Sequence, residues 1–200
     1  MLEHILAEAN IDMSLDHAIL GFLQYGPFTG YDLKSVFDMS VKHFWAADQS
    51  RIYRTLSKLA DEGWTEIEVV LQDDRPDRKV YSITELGRAE LHKWLTNPLP
   101  EKKDHVQSLV QIFFAGKLSD DEILAMLRRM SETAHLRHQQ LDALFGSDCE
   151  YDAETSARDN FFFDLTLEYG RLMTKTSADW YDSVITRFEN SEYKTEDETK

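Results

Sequence analysis

The sequence predicts a mainly α-helical protein in two parts: three helices closed by one β-hairpin, then a run of long amphipathic helices. Three observations carry this. Apolar residues recur at three and four along most of the chain, the period of a single helix face. That period gives way to alternation at residues 64–83, where a strand, a charged turn and a returning strand fit. Asn97-Pro98-Leu99-Pro100 breaks the helical pattern near the middle.

The elements follow in order. Residues 1–13 read as an N-terminal arm or short helix. Ser14 can cap a first helix on which Leu15, Ala18, Ile19, Phe22 and Leu23 share a face, stopped by Gly26-Pro27. Thr29 with Asp32 three residues on is a variant capping box. It opens a second helix whose Leu33, Val36 and Phe37 point inward. Phe44 and Trp45 are expected to cover the core before the third helix. That helix runs from Asp48, a good N-cap, to Gly63, which tolerates positive φ at the C-terminal end. Its Ile52, Leu56 and Leu59 form an apolar stripe, and Arg51, Arg54 and Lys58 lie on another face.

No acid lies between Gln49 and Ala60. Such a helix is a local exception in a chain with 37 acidic against 22 basic residues and a formal charge of −15. That charge excludes indiscriminate coating of nucleic acid, so an anion-binding surface must be local. The hairpin adds Arg75, Arg78 and Lys79 at or near its tip. Thr84 then caps a further helix carrying Leu91, Trp94 and Leu95.

Three helices followed by a hairpin with a cationic tip is the order of a winged helix-turn-helix. In that arrangement the third helix enters the major groove of double-stranded DNA. The spaced set Ile19-Leu20-Gly21, Gly30-Tyr31-Asp32-Leu33, Ile52-Tyr53-Arg54-Thr55-Leu56, Leu59-Ala60-Asp61-Glu62-Gly63 and Tyr81-Ser82-Ile83-Thr84-Glu85-Leu86-Gly87 resembles the PadR family of transcriptional regulators. The resemblance covers residues 14–96, and residues 97–190 resemble the helical C-terminal domain of longer PadR and AphA-like members. It implies that Tyr31, at the start of helix two, and Tyr53 and Arg54, on helix three, lie against DNA. The chemistry agrees: a guanidinium can lie bidentate on guanine, an ammonium suits a phosphate, and a tyrosine hydroxyl can donate to a phosphate oxygen. Gln49 and Ser50, in the first turn, are further candidates for base-edge or phosphate contacts. Asp73, Asp74 and Asp77 depart from the expected pattern by diluting the positive charge of the wing.

Beyond Pro100 the pattern stays helical. Val106, Leu109, Val110, Phe113 and Phe114 form one apolar face. Ser119 and Glu122 form a capping box before Ile123, Leu127, Met130, Ala134, Leu141 and Leu144. Gly146 ends that helix, and Asp148–Glu154 reads as a loop. From Ser156 a last helix carries Phe161, Leu165, Tyr169, Leu172, Met173, Trp180, Val184, Ile185 and Phe188, with residues 191–200 as a flexible tail. This is more apolar surface than a small three-helix unit needs, so the second part is expected to form a homodimer suited to a two-fold DNA site.

The expectation for the whole is a sequence-specific DNA-binding transcriptional regulator, a homodimeric repressor released by a small aromatic effector. Trp45, Trp94 and Phe113 would face that effector, with Arg128 or His135 for an acidic group. A winged helix used as a protein-interaction or anti-repressor module is the rival. No Gly-rich phosphate loop, nucleophile elbow or HExxH motif suggests an enzyme, and no cofactor is expected. His135 and His138, at i and i+3, lack a third ligand on their face for a metal site. The single Cys149 cannot form an intrachain disulfide. With no apolar run of about 18 residues and no signal-peptide pattern, a membrane partner is not expected and the location is read as cytoplasmic.

Overall fold

The computed structural model describes residues 15–42, 44–71, 77–99, 106–146 and 155–194. The expected arm, Ser14, the hairpin tip with Arg75, and the loop at 148–154 lie outside them. The chain divides into two compact units, Met1–Pro100 and Glu101–Lys200.

In the first unit, α1 (residues 15–23), α2 (Gly30–Met39) and α3 (Gln49–Asp61) precede β2 (Thr65–Val70), β3 (Arg78–Ile83) and α4 (Glu85–Thr96). Leu15, Ile19, Leu23, Leu33, Phe37, Ile52, Leu56 and Leu59 are buried together, as their spacing predicts. A two-residue strand, β1 (Phe28–Thr29), was not expected. It pairs with β3, turning the hairpin into a three-stranded antiparallel sheet in the order β1-β3-β2. Two residues between a proline and a helix cap are too short to show a period, so only the partner strand reveals them.

Local chemistry sets the element ends. Asp48 accepts from the Arg51 N–H at 2.8 Å and starts α3. At the other end Gly63 has φ 72°, its N–H donates to Ala60 and that of Trp64 to Leu59, the two bonds of a Schellman close. Thr84 caps α4 by accepting from Gly87 and also donates to the Gly63 carbonyl at 2.7 Å, tying the end of α3 to the start of α4. Gly87 is obligatory there, since a Cβ would strike the Trp64 carbonyl oxygen.

One expectation is corrected. Phe44 does not cover the core but is exposed, whereas Trp45 packs against it. Leu95 is exposed on α4, and of β2 only Thr65 is buried, leaving Ile67 and Val69 in solvent. An edge strand with one neighbour has little to bury its faces against.

The second unit contains α5 (Gln107–Phe114), a 3₁₀ turn (Ala115–Lys117), α6 (Asp120–Gly146) and α7 (Ala157–Glu189). Ser119 and Glu122 form the expected box, and Ser156 caps α7 through the Asp159 N–H. Ala115, Ile123, Met126 and Leu127 make the core, joined by Ile112, Met130, Val184, Ile185 and Phe188. The apolar face of α5 is turned outward. Leu109, Val110, Phe113 and Phe114 are exposed, and Ile112 is the residue that packs inward. Phe161, Leu165, Tyr169, Leu172 and Met173 of α7 are likewise exposed. Within residues 191–194, part of the expected tail, Glu192 accepts from Arg187 and Tyr193 stacks on Phe188.

Candidate nucleic-acid interface

With Ile52, Leu56 and Leu59 sealed in the core, α3 turns its other side outward, and Gln49, Ser50, Tyr53, Arg54 and Lys58 are exposed there. Arg51 is half-buried. Gln49 and Ser50 occupy the first turn, and the Ser50 hydroxyl donates to Asp48 Oδ1 at 2.7 Å. That bond, followed by the Arg51 backbone N–H, holds the Asp48 carboxyl below its usual range, so the cap is anionic at neutral pH. Among the described residues Arg54 has no ion pair or side-chain hydrogen bond, which leaves its five donors available.

The other cations differ. Lys58 Nζ lies 2.5 Å from Asp16 Oδ2 of α1, and Asp16 is 1% exposed. Arg78 Nη2 lies 2.9 Å from Asp32 Oδ2 of α2. Asp32 is the same carboxylate that closes the capping box with Thr29. The Thr29 hydroxyl, then its backbone N–H and Arg78, lower its pKa against the opposing effect of burial. Arg78 and Lys79 sit on β3 opposite Val70 and Val69, both side chains exposed.

Tyr53 is held by a close approach. Its ring lies against Gly30, the first residue of α2, where any Cβ would collide with it. Burial raises the pKa of Tyr81 on β3, and the nearby Tyr53 adds to this. Tyr53 therefore stands where α2, α3 and β3 meet. Tyr31, the next residue along, is 70% exposed. Sequence spacing supplied the surface residues but not the two acids, Asp16 and Asp32, that engage their cations from 42 and 46 positions away. A lone acid on a short helix carries no sequence mark of its distant partner.

The residues expected to face an effector are differently placed. Trp45 is partly buried against the first unit's core, and Trp94 stacks on the buried His17 ring at 4.7 Å and 10°. In the second unit Phe113 is 81% exposed and meets Phe114 edge-on. Arg128 pairs with Glu189 at 2.8 Å, and His135 with Asp182 at 2.8 Å. Thus Arg128 and His135 already join α6 to α7. The metal pairing considered for His135 and His138 gains no third ligand. His138 faces Thr174, and among the described residues no group of three or more His, Cys, Asp or Glu gathers.

Comparison with known proteins decides the family. The model of the transcriptional regulator PadR-like family matches residues 19–93, and that of the virulence activator alpha C-terminal region matches residues 107–189. A protein of Mycobacterium tuberculosis described as a "probable transcriptional regulator" is 34% identical over 86% of this chain and 96% of its own length. The chain belongs to the PadR-like family of transcriptional regulators. The negative transcriptional regulator PadR of Bacillus subtilis is 30% identical, covering 86% of this chain and 95% of its own. The crystal structure of that PadR with operator DNA matches with a TM-score of 0.74 at 27% identity, over 86% of this chain and 98% of that one. Its complex with p-coumaric acid matches with a TM-score of 0.71 at 27% identity, over 88% of this chain and 95% of that one. The virulence activator AphA of Vibrio cholerae, 24% identical with a TM-score of 0.71 over 88% of this chain and 99% of its own, shares the fold. The PadR-like family consists of regulators of transcription rather than enzymes. Among the described residues no helix is long and apolar enough to cross a membrane.

Proposed function

We propose that this PadR-like regulator is a homodimeric repressor that reads a two-fold operator in double-stranded DNA. Residues 14–96 form its DNA-binding domain and residues 97–190 its dimerisation domain. It acts in the cytoplasm, where its operator lies. The observation that carries the reading is the division of α3: Ile52, Leu56 and Leu59 are fully buried, while Arg54 and Tyr53 stand exposed beside Tyr31 at the start of α2. The B. subtilis relative has been solved on operator DNA with the same fold. In this reading Arg54 contacts a base edge, Tyr31 and Tyr53 donate to phosphates, and Gln49, Ser50 and Arg51 supply first-turn contacts. Lys79, Arg78 and Arg75 of the wing touch the neighbouring backbone. The exposed apolar residues of α5 and α7 form the dimer, since they are many and large for a solvated monomer.

The regulator answers to a small aromatic effector, as the p-coumaric acid complex of the B. subtilis relative suggests. One observation favours the rival protein-interaction reading: Lys58 and Arg78 are already paired with acids, which weakens the electrostatic pull on DNA. Fluorescence anisotropy distinguishes the two readings, using the DNA upstream of the protein's own coding sequence and a random duplex at several salt concentrations. Preference for the first, with affinity falling linearly in log–log salt, is the expected result. Equal and negligible binding to both would leave the protein-interaction module.

A further inference from the structure

Three donors meet on one oxygen at the start of α2. Asp32 Oδ2 accepts from the Thr29 backbone N–H at 3.3 Å, from the Thr29 hydroxyl at 2.7 Å and from Arg78 Nη2 of β3 at 2.9 Å. Backbone at a helix N-terminus, a hydroxyl and a guanidinium are groups that hold a DNA phosphate. In this chain its own carboxylate holds them. That carboxylate is ionised at neutral pH, because the Thr29 hydroxyl, then the Thr29 N–H and Arg78, keep its pKa below the ordinary value against the opposing effect of burial.

The cap does not require the arginine. A capping box is complete with Thr29 and Asp32, the Thr29 hydroxyl accepting from the Asp32 N–H at 3.1 Å. The bond from Arg78, 46 positions away, is an addition to it. Both side chains stay within reach of solvent, the arginine 53% and the aspartate 37% exposed, so the pair can open. It also lies in the face proposed to meet DNA: exposed Tyr31 precedes Asp32, and Gly30 before it lies against the Tyr53 ring of α3.

Charge decides what this pairing does. A cation without a partner adds a phosphate contact on any duplex, whatever its sequence, whereas a cation matched by an acid brings no net charge to the phosphates. Asp16 of α1 treats Lys58 in the same way at 2.5 Å. Arg54, the proposed base reader, has no ion pair among the described residues. We infer that Asp32 is a built-in competitor of DNA phosphate, which withholds Arg78 and so limits sequence-independent binding to duplex. The inference rests on the DNA reading above, and it makes the pairing of Arg78 part of that reading instead of an argument against it. On any duplex the arginine must either leave Asp32 or stay neutralised beside it, and both cost affinity that an unpaired arginine would supply.

The test is fluorescence anisotropy of the full-length protein on a random duplex and on the DNA upstream of its own coding sequence, at salt concentrations from about 50 to 200 mM. Wild type, Asp32→Asn, Asp32→Glu, Arg78→Gln and Asp32→Asn/Arg78→Gln are compared, with thermal melts to show that each is folded. Asparagine keeps a carbonyl for the Thr29 donors and removes the charge. Asp32→Asn should bind random duplex on the order of threefold to fivefold tighter at the lowest salt, with a log–log salt slope steeper by about 0.9. Asp32→Glu keeps the charge and the box and should bind as wild type does. The double variant lacks both charges and should return to wild-type affinity and slope, while Arg78→Gln, which leaves the acid alone, should fall below wild type. A purely structural role for Asp32 predicts the opposite sign, since a frayed α2 weakens binding to every duplex. Unchanged or weaker binding of random duplex by Asp32→Asn overturns the inference, as does a double variant that stays tighter than wild type. Wild-type preference for the upstream DNA judges the DNA reading itself: without that preference the reading fails and this inference with it, whereas preference together with an unresponsive Asp32→Asn removes this inference alone.

Discussion

Lys58 of α3 and Asp16 of α1 are joined at 2.5 Å, with the lysine 43% exposed at its side chain and the carboxylate 2%. Helix α3 is thus anchored to α1 by one of its own cations. The asymmetry of burial sets the consequence of breaking it. Lys58→Met leaves a buried carboxylate without its cation and is expected to destabilise the protein by about 3 kcal/mol. Asp16→Asn removes the buried charge itself, and the lysine is already 43% exposed at its side chain, so it should cost less, about 1 kcal/mol. Urea unfolding of both variants and the double variant measures the coupling. Equal losses from the two single changes would show that the buried carboxylate does not govern the pair.

Arg54 has no such partner among the described residues and should report on base readout. Arg54→Ala is expected to lose about 1–3 kcal/mol of discrimination between operator and random duplex, with little change in stability. Anisotropy titrations measure it. An unchanged ratio of affinities would remove Arg54 from the reading surface.

Gly30 and Gly87 are close-approach glycines of different kinds. A Cβ on Gly87 meets the Trp64 backbone oxygen, which cannot move aside. Gly87→Ala should therefore destabilise the protein by about 1–3 kcal/mol. A Cβ on Gly30 meets the Tyr53 ring, which can rotate away, so Gly30→Ala should cost little stability but weaken DNA binding by displacing that tyrosine. Thermal unfolding and operator titration separate the two effects. A Gly30→Ala variant with wild-type operator affinity would show that Tyr53 need not hold its place.

Phe113 on α5 and Leu165 on α7 are exposed and absent from the core, so Phe113→Asp and Leu165→Asp should leave each helix intact. Both changes are expected to convert a dimer into a monomer by sedimentation and to weaken operator binding, since one half-site alone loses the advantage of linkage. A stable dimer of the double variant would place the interface elsewhere.

Asp182 accepts from the Ser131 hydroxyl at 2.5 Å and bonds His135, and these contacts, Ser131 first, hold its pKa below the ordinary value. A carboxyl whose pKa is lower when folded adds stability above its unfolded pKa and loses it as pH falls through the folded one. The α6–α7 pairing should therefore weaken below about pH 4. Asp182→Asn should melt lower than wild type at pH 7 and approach it at pH 3. Parallel curves for the two proteins across that range would show that Asp182 contributes nothing.

What the sequence determined by itself is what depends on residues within four positions of each other. The caps at Asp48, Thr84, Ser119 and Ser156, the glycine close at Gly63 and the stripe of Ile52, Leu56 and Leu59 all have their cause in adjacent turns, and all are found in the structure. The excess of apolar residues beyond Pro100 was legible too. Which of them face outward was not: Ile112 packs inward while Phe113, its neighbour, stands in solvent, a choice made by the position of α6 and α7. The state of the cations was equally hidden. Arg54, Lys58 and Arg78 look alike in sequence. Only the fold brings Asp16 to one and Asp32 to another and leaves Arg54 without an acid among the described residues, because an ion pair depends on where two distant chain segments meet.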